Sequence, residues 1–318
     1  MMSERMLLTA TCLAALVLSC RCPGPSAGTR SEFDNPEQGD VTYWKDVKFT
    51  PDTSDPSGKK GKWSGWFHQD VVDDVALGKG IIRARVDGRW QDFDVVELPE
   101  DFQKWNFQGR LRQLAEYREL LGSKEMRMPT LSGPHNGIVA SHGARRRDTE
   151  FTVNNAVKGM GWLPKPEKLA EVAGLLKRTW NDSLSDKLRT LESLYARGAE
   201  VFDLTKQSSL ELYASPDFET HTFLNQMTDP GVAVVFLDLP KSYELRCIAQ
   251  MLHPDDPGLT EYQRQAVEYI NLVHDYFHGQ SPHKSIGVIY HVVQVFDNSP
   301  GRWRGQRIVP PRSESKEN

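Results

Sequence analysis

The spacing of apolar and polar positions divides the chain into stretches of different character. From 41 to 121 the signals are those of short strands followed by a helix. Val41 to Phe49 carries Tyr43, Trp44, Val47 and Phe49, and Trp63 to Phe67 and Gly80 to Val86 follow a polar turn region, Pro51 to Lys62. Asp87-Gly88 between two apolar-rich runs predicts a two-residue hairpin turn, with the chain returning over Trp90 to Leu98. Leu111, Leu114, Arg118 and Leu121 recur at helical spacing, so a helix is expected over Phe107 to Leu121, stopped by Gly122.

Residues 122–163 lack a clean period. Pro129, Gly133-Pro134, Gly137, Gly143, Gly159 and Gly161 break it, and the stretch reads as an irregular loop region that is either functional or hides a short β segment. Periodicity returns from 164 to 309. Pro166 with Leu169, Val172, Leu176 and Trp180 predicts one helix, and Leu188, Leu191 and Tyr195 before Gly198 predict a second over Ser185 to Arg197. Short strands are expected at Glu200 to Leu204 and Ser209 to Tyr213, then a short helix opened by Ser215-Pro216. Val232 to Leu237 is continuously apolar, as in a strand buried on both faces, and Tyr243 to Met251 alternates like a half-exposed partner. Thr260 and Gln263 form a capping box before a helix over Glu261 to Phe277, and Ile286 to Phe296 is the last strand. The expected class is α+β, with mixed or antiparallel sheet regions, four to six helices, a mostly β N-terminal third and a ββαβ-like C-terminal half.

The N-terminus changes the picture from fold to address. Arg5 precedes an apolar run from Met6 to Leu18, which is shorter than the ~20 residues needed to span a bilayer. Val17-Leu18-Ser19-Cys20 resembles the lipobox of bacterial lipoproteins. On that reading residues 1–19 are a signal peptide, Cys20 carries lipid such as palmitate, and the breaker-rich residues 20–40 tether the folded part to a membrane outside the cytoplasm, at the bacterial cell envelope. A plain cleaved signal or a single membrane helix are the alternatives. Residues 310–318 read as a disordered tail.

Composition sets bounds rather than a function. A net charge of −4 gives no electrostatic case for nucleic acid, and 38% hydrophobic residues support a core. Of the cysteines left after signal removal, Cys22 falls in the tether and Cys247 in a strand, where it reads as a small buried hydrophobe.

Three constellations bear on chemistry. His135, His142, Arg145, Arg146 and Arg147, with nearby glycines, fit an anion pocket for phosphate or carboxylate, or else a solvated loop. His274 and His278 share one helix face and, with His283, have spacing that suits zinc; solvated histidines are the alternative. The aromatic residues crowding the N-terminal third either expose faces for sugars or partner chains or fill a small β core. No nucleophile elbow, P-loop or dinucleotide fingerprint is present.

Ser215-Pro216-Asp217-Phe218, then Asp229-Pro230-Gly231-Val232-Ala233-Val234, then Val293-Gln294-Val295-Phe296 together resemble the FMN-binding split-barrel proteins over residues 213–301. That resemblance implies a short helix ahead of a barrel strand and FMN as a possible cofactor. The function expected first is a lipid-anchored binding protein for an envelope protein, a peptide or a carbohydrate, with no cofactor. A hydrolase or transferase built on loop 132–148, metal-dependent in one version, is the second expectation, and a flavin- or haem-holding protein the third.

Overall fold

The computed structural model describes residues 47–53, 64–122, 133–143, 149–214, 220–301 and 305–311. The leader, Cys20 and Cys22, the tether, Trp63, Arg145 to Arg147, the Ser215-Pro216 helix start and most of the tail lie outside the described residues. The α+β class is borne out: twelve strands, all paired antiparallel, and five α-helices are present among the described residues.

The centre of the molecule is a sheet that curls back on itself. Its strands are β6 (Asn136–His142), β7 (Val153–Gly159), β8 (Lys206–Glu211), β9 (Gly231–Asp238), β10 (Lys241–Leu252) and β11 (Ile286–Asp297). Antiparallel pairing runs β7–β6–β9–β10–β11–β8. The chain just after β7 then meets β8, where Gly161 and Ser208 exchange two 2.8 Å backbone hydrogen bonds. That bridge closes a six-stranded barrel at one point. Further along, β7 and β8 part, and side chains span the gap: Lys158 Nζ donates to Glu211 Oε2 at 2.6 Å, and Gln226 Nε2 donates to Glu211 Oε1 at 2.9 Å.

Alternation within the ladders decides what faces inward. Val139 opposes Val234 and Leu245 opposes Val234 in turn, while Cys247 opposes Val232 and Val292, and Tyr290 opposes Ala249. All are buried and fill the interior. Two helices plug the ends. Phe102 on α1 (Glu100–Gly122) packs its ring on Phe236 and Tyr243 at 5.5 and 5.2 Å. At the other end lies α4 (His221–Thr228), where Asn225 donates to Ser141 Oγ at 3.1 Å.

The outside of β10 and β11 is also covered. A small sheet of β3 (Val72–Asp73), β4 (Ile81–Val86) and β5 (Arg89–Asp94) lays Ile82 and Ala84 on Ile248. Helix α5 (Glu261–His278) lies across Gly287, where a Cβ would stand 3.0 Å from Val267 Cγ2. Helices α2 (Pro166–Arg178) and α3 (Leu184–Arg197) complete a layer with α1 and α5. A two-stranded ribbon, β1 (Phe49–Pro51) with β2 (Gly65–Phe67), and the short β12 (Gln306–Val309) on β11 finish the set.

Several expectations are corrected. Residues 122–163 contain β6 and β7, which their glycines hid; Gly137 is required there, since a Cβ would meet Met160 Cγ at 2.7 Å. Helix α1 begins at Glu100 rather than Phe107, because Phe102 and Trp105 face the barrel end from a helix and not from a strand. The strand expected to reach Leu98 stops at Asp94; Val96 and Leu98 instead cross the barrel rim, donating to Val292 O and Leu204 O. Glu200 to Leu204 is a 3-10 turn followed by a single bridge, Pro164 to Phe202. β10 is buried from Cys247 to Leu252 rather than half exposed, since both of its faces are packed. β9 shows the reverse: Val235 is half-buried and Leu237 exposed, so its outer face is open.

Candidate functional site

His135 and His142 stand at opposite ends of β6. Seven residue steps of strand separate them by about 23 Å, so they line no common pocket. His135 is half-buried beside α1, its Nδ1 3.0 Å from Met160 O; burial first, then the Arg110 guanidinium, push its imidazole down to about 3. His142 ends up at the α4 end of the barrel, exposed and without a hydrogen bond among the described residues.

On α5 the rings of His274 and His278 do lie together, with centroids 4.8 Å apart. The nearest carboxylate, Asp275, sits 3.2 Å from His274 Nδ1 and accepts from Ser281 Oγ at 2.6 Å. His283 lies exposed in the segment beyond the helix and joins no such group. Convergence of potential metal ligands is found elsewhere. Asp87, His142 and Asp229 bring one ligand atom each to within 4.8 Å of one another. They come from the β4–β5 turn, the end of β6 and the residue capping α4. Sequence reasoning singled out His142 but not the two aspartates, which lie 55 positions before and 87 after it; the Asp87-Gly88 hairpin turn was legible, but what it would meet was not.

The most unusual surface is the outer face of β7, β6 and β9. Val157, Ile138 and Val235 oppose one another in one row across the three strands. Val157 is 70% exposed, Val153 59%, Leu237 52% and Ile138 41%. The outer side of an antiparallel sheet ordinarily carries polar residues. Here Val157, Ile138, Val153 and Leu237 share it with Asn136, Asn155 and His142, and exposed Phe151 flanks the start of β7. The N-terminal aromatics point the other way: Phe67, Phe102 and Trp105 are buried, and exposed Trp90 lies under the Arg83 guanidinium at 5.9 Å.

A flavin or haem does not fit inside the barrel, whose interior is occupied by Val139, Val234, Leu245, Ala249, Tyr290 and Val292. Among the described residues no helix is long and apolar enough to cross a membrane. No family model and no curated protein matches the chain. Among solved structures, the 1.70 Å crystal structure of HupZ from Group A Streptococcus is similar over 52% of this chain and 87% of that one, at 15% identity and a TM-score of 0.28. With a TM-score that low, the fold rests on the strand pairing described above.

Proposed function

We propose that this chain is a lipid-anchored, extracytoplasmic binding protein that docks a protein partner on the aliphatic outer face of β7, β6 and β9. The outward-facing row Val157–Ile138–Val235, with Leu237 beside it on β9 and Val153 further along β7 beyond Asn155, carries this reading. A contiguous exposed apolar patch on a sheet face marks an interaction surface. Its chemistry selects among the expected partners. Sugars stack on flat aromatic rings, whereas aliphatic side chains complement the apolar core of a protein–protein interface. The address rests on the lipobox-like Val17-Leu18-Ser19-Cys20 and the breaker-rich segment after it. The separation of His135 from His142 counts against an enzyme working through one loop pocket.

Two readouts test the proposal. Cys20→Ser is expected to move the protein from the membrane fraction to the soluble fraction, and continued membrane attachment would refute the anchor. Val157→Lys combined with Ile138→Lys is expected to abolish partner co-purification while the far-UV circular dichroism spectrum is kept. Retention of the same partner at wild-type yield would refute the docking face.

A further inference from the structure

The Asp87, His142 and Asp229 cluster has a charge balance that its own residues leave open. Asp229 is fixed by two backbone donors: its Oδ2 accepts from Asp87 N at 2.9 Å and its Oδ1 from Gly231 N at 3.2 Å. Each oxygen keeps a lone pair free. Asp229 also caps the C-terminus of α4, its own N–H bonded to Asn225 O, so the negative end of the helix points at the same place. Asp87 is held in the left-handed region, with φ of 51°, by the tight turn before Gly88. Among the described residues neither carboxylate has a cationic partner, and His142 has no hydrogen-bond partner. Two like charges and a helix C-terminus gathered around an imidazole favour a cation.

We propose that Asp87, His142 and Asp229 bind a divalent transition metal ion of the zinc class. The donor set is one nitrogen and two carboxylate oxygens. The imidazole selects against calcium and magnesium, which take oxygen ligands. Three protein ligands leave at least one position for water, the arrangement of an open rather than a structural zinc site. Bound at ~2.1 Å, tetrahedral ligand atoms stand ~3.4 Å apart. The ligand atoms, now within 4.8 Å of one another, therefore close by at most about 1.4 Å, which the exposed His142 and Asp87 side chains can supply by rotation. His142 shares the outer sheet face with Val153, its cross-strand partner, so the ion sits at the border of the aliphatic face. Its three donor groups are independent of the aliphatic residues of that face.

The test is isothermal titration of the full-length protein in detergent with zinc chloride, in the presence of excess magnesium. One zinc per chain is expected. His142→Ala, which removes no hydrogen bond and no buried atom, is expected to weaken zinc binding at least about tenfold, as is Asp87→Asn, while His274→Ala with His278→Ala leaves it unchanged. Absence of saturable zinc binding overturns the proposal. So does unchanged affinity in His142→Ala, or loss of binding only when the two α5 histidines are removed.

Discussion

His291 is fully buried on the outer side of β11, with Nε2 2.9 Å from Gln250 Oε1. Gln250 in turn donates to Asp74 Oδ2 at 2.8 Å, and so does Gln263 at the start of α5. Burial first, then the Lys206 ammonium, push this imidazole down to about 3. An unfolded histidine titrates near 6.5. The fold therefore requires the neutral ring. Its contribution is complete above pH ~6.5, falls as the pH drops through that value, and is gone below about 3; His135 behaves the same way. Each such group adds about 1.4 kcal/mol per pH unit to the acid slope. Urea unfolding from pH 6.5 to 4 is expected to show a shallower slope in His291→Asn than in wild type, and equal slopes would contradict it. Glu211 makes a second demand at this scale. Its side chain is 1% exposed and depends on Lys158 across the barrel gap. Lys158→Met strands a buried carboxylate and is expected to cost about 3–5 kcal/mol in urea unfolding. None of this was legible in the sequence. Lys158 and Glu211 are 53 positions apart, and Gln250 and His291 are 41, on strands whose pairing no local pattern announces.

Among the elements, legibility followed local chemistry. Thr260 accepts from Gln263 N at 3.3 Å and Gln263 Oε1 accepts from Thr260 N at 2.8 Å, so the capping box is present as the four-residue spacing implied. Thr260→Ala is expected to lower stability by about 1 kcal/mol in thermal unfolding, with the far-UV circular dichroism spectrum of the folded protein unchanged. The Asp87-Gly88 hairpin and the strand over Val232 to Leu237 were legible for the same reason: turn chemistry and an unbroken apolar run each mark an element locally. β6 and β7 were hidden because their inner face is built from Gly137, Ser141, Asn154 and Lys158, chosen to fit a plugged barrel rather than to look apolar. The start of α1 was misread because Phe102 and Trp105 have strand-like propensity while packing from a helix.

For the whole molecule, barrel closure explains both what is buried and what is left open. The β3–β5 sheet, α5 and the helical layer cover β10 and β11, whereas β7, β6 and β9 turn their outer side to solvent with valine, isoleucine and leucine on it. An alternation pattern places side chains on two faces but does not say which face another layer will cover. The sequence thus made the β9 run look buried on both faces, and only the assembled barrel shows one face open. The measurement that bears most directly on the docking face is site-specific photo-crosslinking in cells, with the crosslinker at Val157 and, as control, at exposed Glu171 on α2. A discrete adduct from position 157, absent from 171 and lost when Ile138→Lys is added, is the result expected; an adduct of twice the chain mass would identify the partner as a second copy. No adduct at 157, or the same adduct from both positions, would contradict the claim that this face is where the protein binds.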